Sequence, residues 1–293
     1  MAKVFPTLMA IFLLAVVTVT TAQSPYQSSA DFAKYAMKLR ESALLNIEPK
    51  VIIPTTGALL AGGRFPWKTN IVTTVFWVGE TPTVNNPVPN RSSSWDINWM
   101  SNFGGYDTPD PSQRRGYIPA RFTPRLNPFY IALPYNDVER GHHKPEARSV
   151  IPWFREAFER DGKSVCENRW VAVRTRAGKI CYAQWSDCGP FRTDHWQYVF
   201  GDERPKPNLN RGAGLDVSPA VRDYLGLNAS WDVTDWKFVD FREVPHGPWS
   251  YYGENNQFVQ IARKNATSVV SNKTAPAPPS TSASSTVPTV IVR

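Results

Sequence analysis

Two aspartates stand where a carboxyl could do acid–base work. Asp187 opens the run Asp187-Cys188-Gly189-Pro190-Phe191, just after the apolar stretch 180–185. Asp216 lies in Gly214-Leu215-Asp216-Val217-Ser218-Pro219. Gly tolerates unusual dihedrals and Pro fixes φ without offering a donor, so Gly189-Pro190 predicts a turn at a strand exit. Ser218-Pro219 predicts a helix start, with Ser as N-cap and Pro in the first turn. Each carboxylate therefore marks the end or the beginning of an element, and such ends gather where loops converge on a cleft. A carboxyl against an apolar wall keeps its proton near neutral pH and can protonate a glycosidic oxygen. A second carboxylate nearby can activate water. A lone Asp in a turn is equally an ordinary cap, so the residues alone leave catalysis open.

The elements that must position these residues read mainly as strands. Stretch 69–80 is β-branched and aromatic and closes at Gly79. Glu80 at its end could overhang the same cleft, and Trp77 within it is a candidate sugar contact. Stretch 129–133 is a second strand. Tyr135, Asn136 and Asp137 follow it and offer hydroxyl, amide and carboxylate together to a sugar, although the same types build plain turns. Stretch 175–179 reads as a hairpin turn between strands 169–174 and 180–185. Symmetry about that turn sets Cys181 opposite Val173 and Cys166 opposite Cys188. It predicts a Cys166–Cys188 disulfide with Cys181 buried and free. A helix is expected over 145–161, its start reset by Pro152, and two further strands over 232–236 and 237–243. Stretch 81–127 is polar and rich in Pro but carries Trp95, Trp99, Phe103, Tyr106 and Tyr117, which predicts an ordered insertion over one mouth of the fold. Trp95 and Trp99 could stack on pyranose faces, or simply hold that insertion together.

The two aspartate motifs, in this order, resemble those of the RlpA-like double-psi β-barrel superfamily, whose members carry a D-x-G-P-F turn followed by a D-x-S helix entry. The resemblance extends over about residues 69–244. It implies a mainly β fold: a six-stranded double-psi β-barrel with peripheral helices and the long ordered insertion. It also implies that Asp216 is the acid and Asp187 its structural or supporting partner. Relatives include peptidoglycan lytic transglycosylases, inverting endoglucanases and non-hydrolytic expansins, so the fold does not choose the activity. The insertion, and a longer link between Asp187 and Asp216 than small relatives have, depart from the family pattern.

Composition adds limits. The chain has 293 residues and a formal net charge of +8. A basic secreted protein suits an anionic partner such as a wall polymer. Its charge is scattered without Lys/Arg blocks, which argues against nucleic acid. Residues 1–22 read as a secretory signal: Lys3, an apolar run over 8–17, then small residues before Gln23. That run is too short for a stable membrane span, so a secreted or periplasmic, wall-associated protein is expected. Residues 23–65 read as a helical arm, 66–262 as the barrel domain and 263–293 as a disordered Ser/Thr/Pro-rich tail. No phosphate-binding or dinucleotide motif and no ligand spacing of Cys or His points to a cofactor or metal. Three functions remain: cleavage of polysaccharide or peptidoglycan by Asp216, binding of such a polymer without cleavage, or a barrel that serves only as scaffold.

Overall fold

The computed structural model describes residues 34, 35, 37, 38, 65–83, 86 and 88–273. The expected signal, most of the expected arm and residues 274–293 lie outside the described residues. Six strands close into a mixed barrel: β1 (Lys68–Val75), β2 (Tyr130–Leu133), β3 (Trp170–Thr175), β4 (Ile180–Cys188), β5 (Leu215–Val217) and β6 (Trp231–Phe238). Around the barrel the order is β1-β6-β3-β4-β2-β5, and β5 returns to β1. The β1/β5 and β2/β4 contacts are parallel and the other four antiparallel.

The β3–β4 hairpin has the expected register, with Val173 opposite Cys181. Its turn is closed by Gly178 N–H donating to Thr175 O at 2.9 Å, with Gly178 at φ 84. The two expected strands after residue 231 are one strand, β6, and Phe241–Glu243 is a 3-10 turn. Short helices surround the barrel: α1 (Trp99–Phe103), α2 (Ala147–Val150), α3 (Phe154–Ala157), α4 (Trp196–Val199) and α5 (Pro219–Leu225). The helix expected over 145–161 is two single turns. Ile151, before Pro152, takes an extended ψ of 115, as steric conflict with the proline ring favours. Ser218 does cap α5, its Oγ accepting from Val221 N–H at 3.3 Å, and Gly226 ends that helix in the left-handed region at φ 74. The last helix, α6 (Gln257–Lys273), corrects the expected start of the unstructured tail. It is anchored at its first turn, where Phe258 packs on Trp170 and Phe241 and Gln257 accepts from the Trp170 indole at 2.7 Å. Once a first turn is fixed, each further residue adds a bond at low cost, so the helix runs on past Lys264.

The core is dense in tryptophan. Trp153, Trp185 and Trp236 are buried, and each indole N–H finds an acceptor: Val165 O at 2.7 Å, Asp187 O at 2.8 Å and Tyr198 Oη at 2.7 Å. Such partners make it possible to bury the large ring without stranding its donor. A second apolar cluster lies against the outer face of the barrel, where Trp99 and Phe103 of the 81–127 segment meet Phe76, Val78, Tyr130 and Ala132.

The expected disulfide is absent. Cys166, Cys181 and Cys188 are all free thiols. The symmetric register ends at Trp170 opposite Gln184. Beyond it Asn168 turns at φ 63, and Arg169 N–H donates to Cys166 O at 3.2 Å, so Cys166 leaves the ladder. Cys188 instead pairs with Leu133 of β2, and its thiol donates to Tyr135 O at 3.0 Å. Among the described residues no helix is long and apolar enough to cross a membrane.

Candidate functional site

Strand register brings the two motif aspartates together. Thr74 of β1 lies opposite Asp216 of β5, Asp216 opposite Ala132 of β2, and Ala132 opposite Asp187 of β4. The four residues form one row across four adjacent strands. Neighbouring strands stand about 4.8 Å apart, so the Asp216 and Asp187 backbones are separated by roughly 10 Å, with only the small Ala132 between them. The row lies in the wall of a cleft of about 1240 Å³.

Asp187 reaches this face because of a bulge. Ile131 pairs with Trp185 but Ala132 pairs with Asp187, which leaves Ser186 as an extra residue in β4. In an unbroken strand, residues 185 and 187 share a face. The extra residue sends Trp185 into the core and re-aims Asp187 into the cleft.

Four carboxyl residues line the cleft, Glu80, Asp187, Asp194 and Asp216, and burial acts on three of them. Asp216 is half-buried beside Gly189, and Thr74 Oγ1 donates a short hydrogen bond to its Oδ1. Burial lifts its pKa to about 7; the Thr74 bond opposes the lift and the Asp187 charge adds to it. Asp187 is 9 % exposed and its Oδ1 accepts from Ser94 N–H at 2.8 Å and Cys188 N–H at 2.7 Å. Such donors lower a carboxyl pKa, but burial outweighs them here and raises it to about 6. Glu80 lies in the turn after β1, its Oε2 held by Asn86 Nδ2 at 3.1 Å and Asn90 Nδ2 at 2.8 Å. Burial first, then the charge of Asp216, lifts it to about 7. Several carboxyls that each keep a proton near neutral pH can donate it and take it back, which is the requirement for general acid–base chemistry.

The other expected sugar contacts lie elsewhere. Tyr135 and Asp137 are fully buried; Asp137 holds Ser164 Oγ at 2.6 Å and Val165 N–H at 2.7 Å. Asn136 Oδ1 accepts from the Trp95 indole at 2.8 Å, and Trp95 packs edge-on against Trp185. Trp99 is 2 % exposed within the outer cluster, and Trp77 donates to Tyr106 Oη at 3.1 Å. None of these six residues lines the cleft, so their aromatic and polar groups hold the 81–127 segment and the β2 exit in place. The cleft also takes its walls from Phe191 of the first motif and from residues that the sequence does not single out: Thr74, Ser94, Arg192, Arg211 and Trp231. Phe191, which follows the cis Gly189-Pro190 bond, takes φ 60, an uncommon value for a bulky side chain. Lys34 and Lys38 of the N-terminal segment also border the cleft.

Among the described residues no group of three or more His, Cys, Asp or Glu side chains is arranged to hold a metal ion. No protein-family model matches the chain, and comparison with curated proteins gives no match.

Proposed function

We propose that this chain is a secreted polysaccharide-active protein on an RlpA-like double-psi barrel, with Asp216 as the acid and Asp187 as its supporting carboxyl. The observation that carries the reading is Asp216 itself: in register between Thr74 and Ala132 on a cleft wall, with burial holding its pKa at about 7. The closed six-stranded barrel with two parallel strand pairs supports the double-psi reading.

In this reading a sugar chain lies along the cleft over the row. Neutral Asp216 donates its proton to the glycosidic oxygen as the bond to the anomeric carbon breaks, and the pair of electrons leaves with that oxygen. Asp216 is then a carboxylate, and the Thr74 hydroxyl stabilises it. Two completions follow. Carboxylate Asp216 can take a proton from a hydroxyl of the same sugar, which closes an anhydro ring. Alternatively, Asp187 or Glu80 can draw a proton from a water that attacks the anomeric carbon. The second route needs carboxyls roughly 6.5–9.5 Å apart, and residues two strands apart on one face can meet that spacing.

The test is a product assay on peptidoglycan and on β-glucans with the native chain and with Asp216→Asn. Anhydro-sugar ends assign a lyase and new reducing ends a hydrolase, and either product should vanish in Asp216→Asn while polymer binding stays. Binding without product in the native chain would assign a non-catalytic, wall-remodelling module. The absence of both binding and product would leave a scaffold.

A further inference from the structure

The row on the cleft wall does not stop at Thr74. Trp231, the first residue of β6, lies opposite Thr74 on its other side. Asp187, Ala132, Asp216, Thr74 and Trp231 thus follow one another across five strands. Trp231 is among the few large apolar side chains that stay exposed, at 38 %, and it lines the cleft. The Arg211 guanidinium stands 4.5 Å from the centroid of its ring.

The backbone that presents Arg211 is a built turn. Asn208 is nearly buried. Its Oδ1 accepts from Asn210 N–H at 3.0 Å and Ala213 N–H at 3.2 Å, and its Nδ2 donates to Ala213 O at 2.8 Å. Arg211 and Gly212 take φ 60 and φ 71 inside that clamp, and Gly214 N–H fastens the end of the turn to Val72 O of β1 at 3.0 Å. A side chain held at positive φ by a buried polar clamp is fixed in place by its surroundings.

Arg211 also differs in its company from Arg192, which lines the same cleft. Arg192 pairs with Asp194, whereas no carboxylate among the described residues pairs with Arg211. A guanidinium near an aromatic ring gains from the ring's electron-rich face and keeps in-plane N–H groups free for a carboxylate. Bidentate binding of a carboxylate is the geometry those N–H groups fit best. An exposed indole accepts the C–H face of a pyranose ring. The two groups together match a sugar that carries its own carboxylate.

We propose that Trp231 and Arg211 form a subsite for a uronate residue of the polymer, two strands away from Asp216. This specificity rests on the polysaccharide reading above. The indole positions the ring, and the guanidinium selects acidic over neutral sugars. Because the buried floor carboxyls keep their protons up to near-neutral pH, they repel an acidic chain less than three exposed carboxylates would.

The test is calorimetric titration of the full chain with oligogalacturonate and, separately, with a neutral β-glucan oligomer of equal length. Four variants are compared: Arg211→Gln, Arg211→Lys, Trp231→Ala and, as an equal change of charge away from the cleft, Arg121→Gln. Oligogalacturonate should bind. Arg211→Gln should weaken that binding about tenfold or more, the equivalent of one lost charge-assisted contact. Arg211→Lys should rescue it only in part, because Lys lacks the planar fork. Trp231→Ala should weaken both ligands, and Arg121→Gln neither. Equal losses in Arg211→Gln and Arg121→Gln would overturn the subsite in favour of general charge attraction. Binding of the neutral oligomer alone would overturn the uronate specificity and leave the polysaccharide reading standing. Binding of neither oligomer would overturn the uronate subsite, and the peptidoglycan assay above would then decide the polysaccharide reading on its own.

Discussion

Asp216→Asn should make the protein more stable at pH 8 while removing any activity. Asn keeps the shape of the side chain and still accepts the Thr74 hydrogen bond, but it carries no charge to desolvate. Burial lifts the Asp216 pKa from 3.8 to about 7. That is about three powers of ten in proton affinity at about 1.4 kcal/mol each, a ceiling of about 4 kcal/mol. Partial exposure to solvent and the charges shared with Glu80 and Asp187 reduce the figure, and about 2 kcal/mol is expected. The sign follows from linkage. Between the unfolded and folded pKa values the native state binds more protons than the unfolded chain, so native stability falls as pH rises through that window. The penalty is fully present above about pH 7 and gone below about pH 4. Chemical denaturation of native and Asp216→Asn protein at pH 8 and at pH 4 measures it. A midpoint raised by about 4–8 °C in thermal scans at pH 8 corresponds to about 2 kcal/mol for a domain of this size, with no difference at pH 4. A variant that is destabilised at pH 8, or whose gain is the same at both pH values, would refute the claim that the carboxyl is desolvated.

Other outcomes follow from the same geometry. Thr74→Val removes the bond that holds the Asp216 pKa down, so the alkaline limb of any acid-dependent pH–rate profile should move upward; a limb that stays put separates Thr74 from the acid. Trp99→Ala empties a site in the outer cluster and should cost about 3–5 kcal/mol in denaturant unfolding, while the folded variant binds glycan as before. Loss of binding with the fold intact would restore Trp99 as a sugar platform. With all three thiols free, alkylation of the denatured chain without reductant should add three labels, and reductant should leave the melting temperature unchanged. Fewer labels would show a bridge.

The sequence carries those parts of the fold that local chemistry decides. The β3–β4 hairpin follows from the turn residues at its tip, and the entry of α5 from Ser218-Pro219. Strand β5 is different. Three residues before a helix cap give no periodic signal, and they are a strand because β1 and β2 flank them on either side. The Ser186 bulge and the left-handed Asn168 are also invisible in one sequence. The first aims Asp187, and the second takes Cys166 away from Cys188. Aromatic identity alone does not separate a packing role from an exposed face at the cleft; burial encloses Trp99 in the outer cluster and leaves Trp231 exposed at the cleft. The hydrogen bonds to Asp187 are partly legible, but the cover that desolvates it comes from Ser94, 93 positions away in the chain.

The bulge at Ser186 also says how this cleft could be lost. A strand sorts its residues by parity, odd to one side and even to the other, and one unpaired residue exchanges the two for everything downstream. Pairing Ser186 itself with Ala132, with no residue lost and no bulge, would turn the Asp187 carboxylate toward the core and set Ser186 on the cleft instead. Deleting Ser186 would do the opposite: Asp187 would follow Trp185 directly, stay opposite Ala132 and keep its face. The position of this carboxyl is thus written in a count of residues as much as in their kinds. A related chain one residue shorter here keeps the site, whereas one with the same residues and a regular strand loses it.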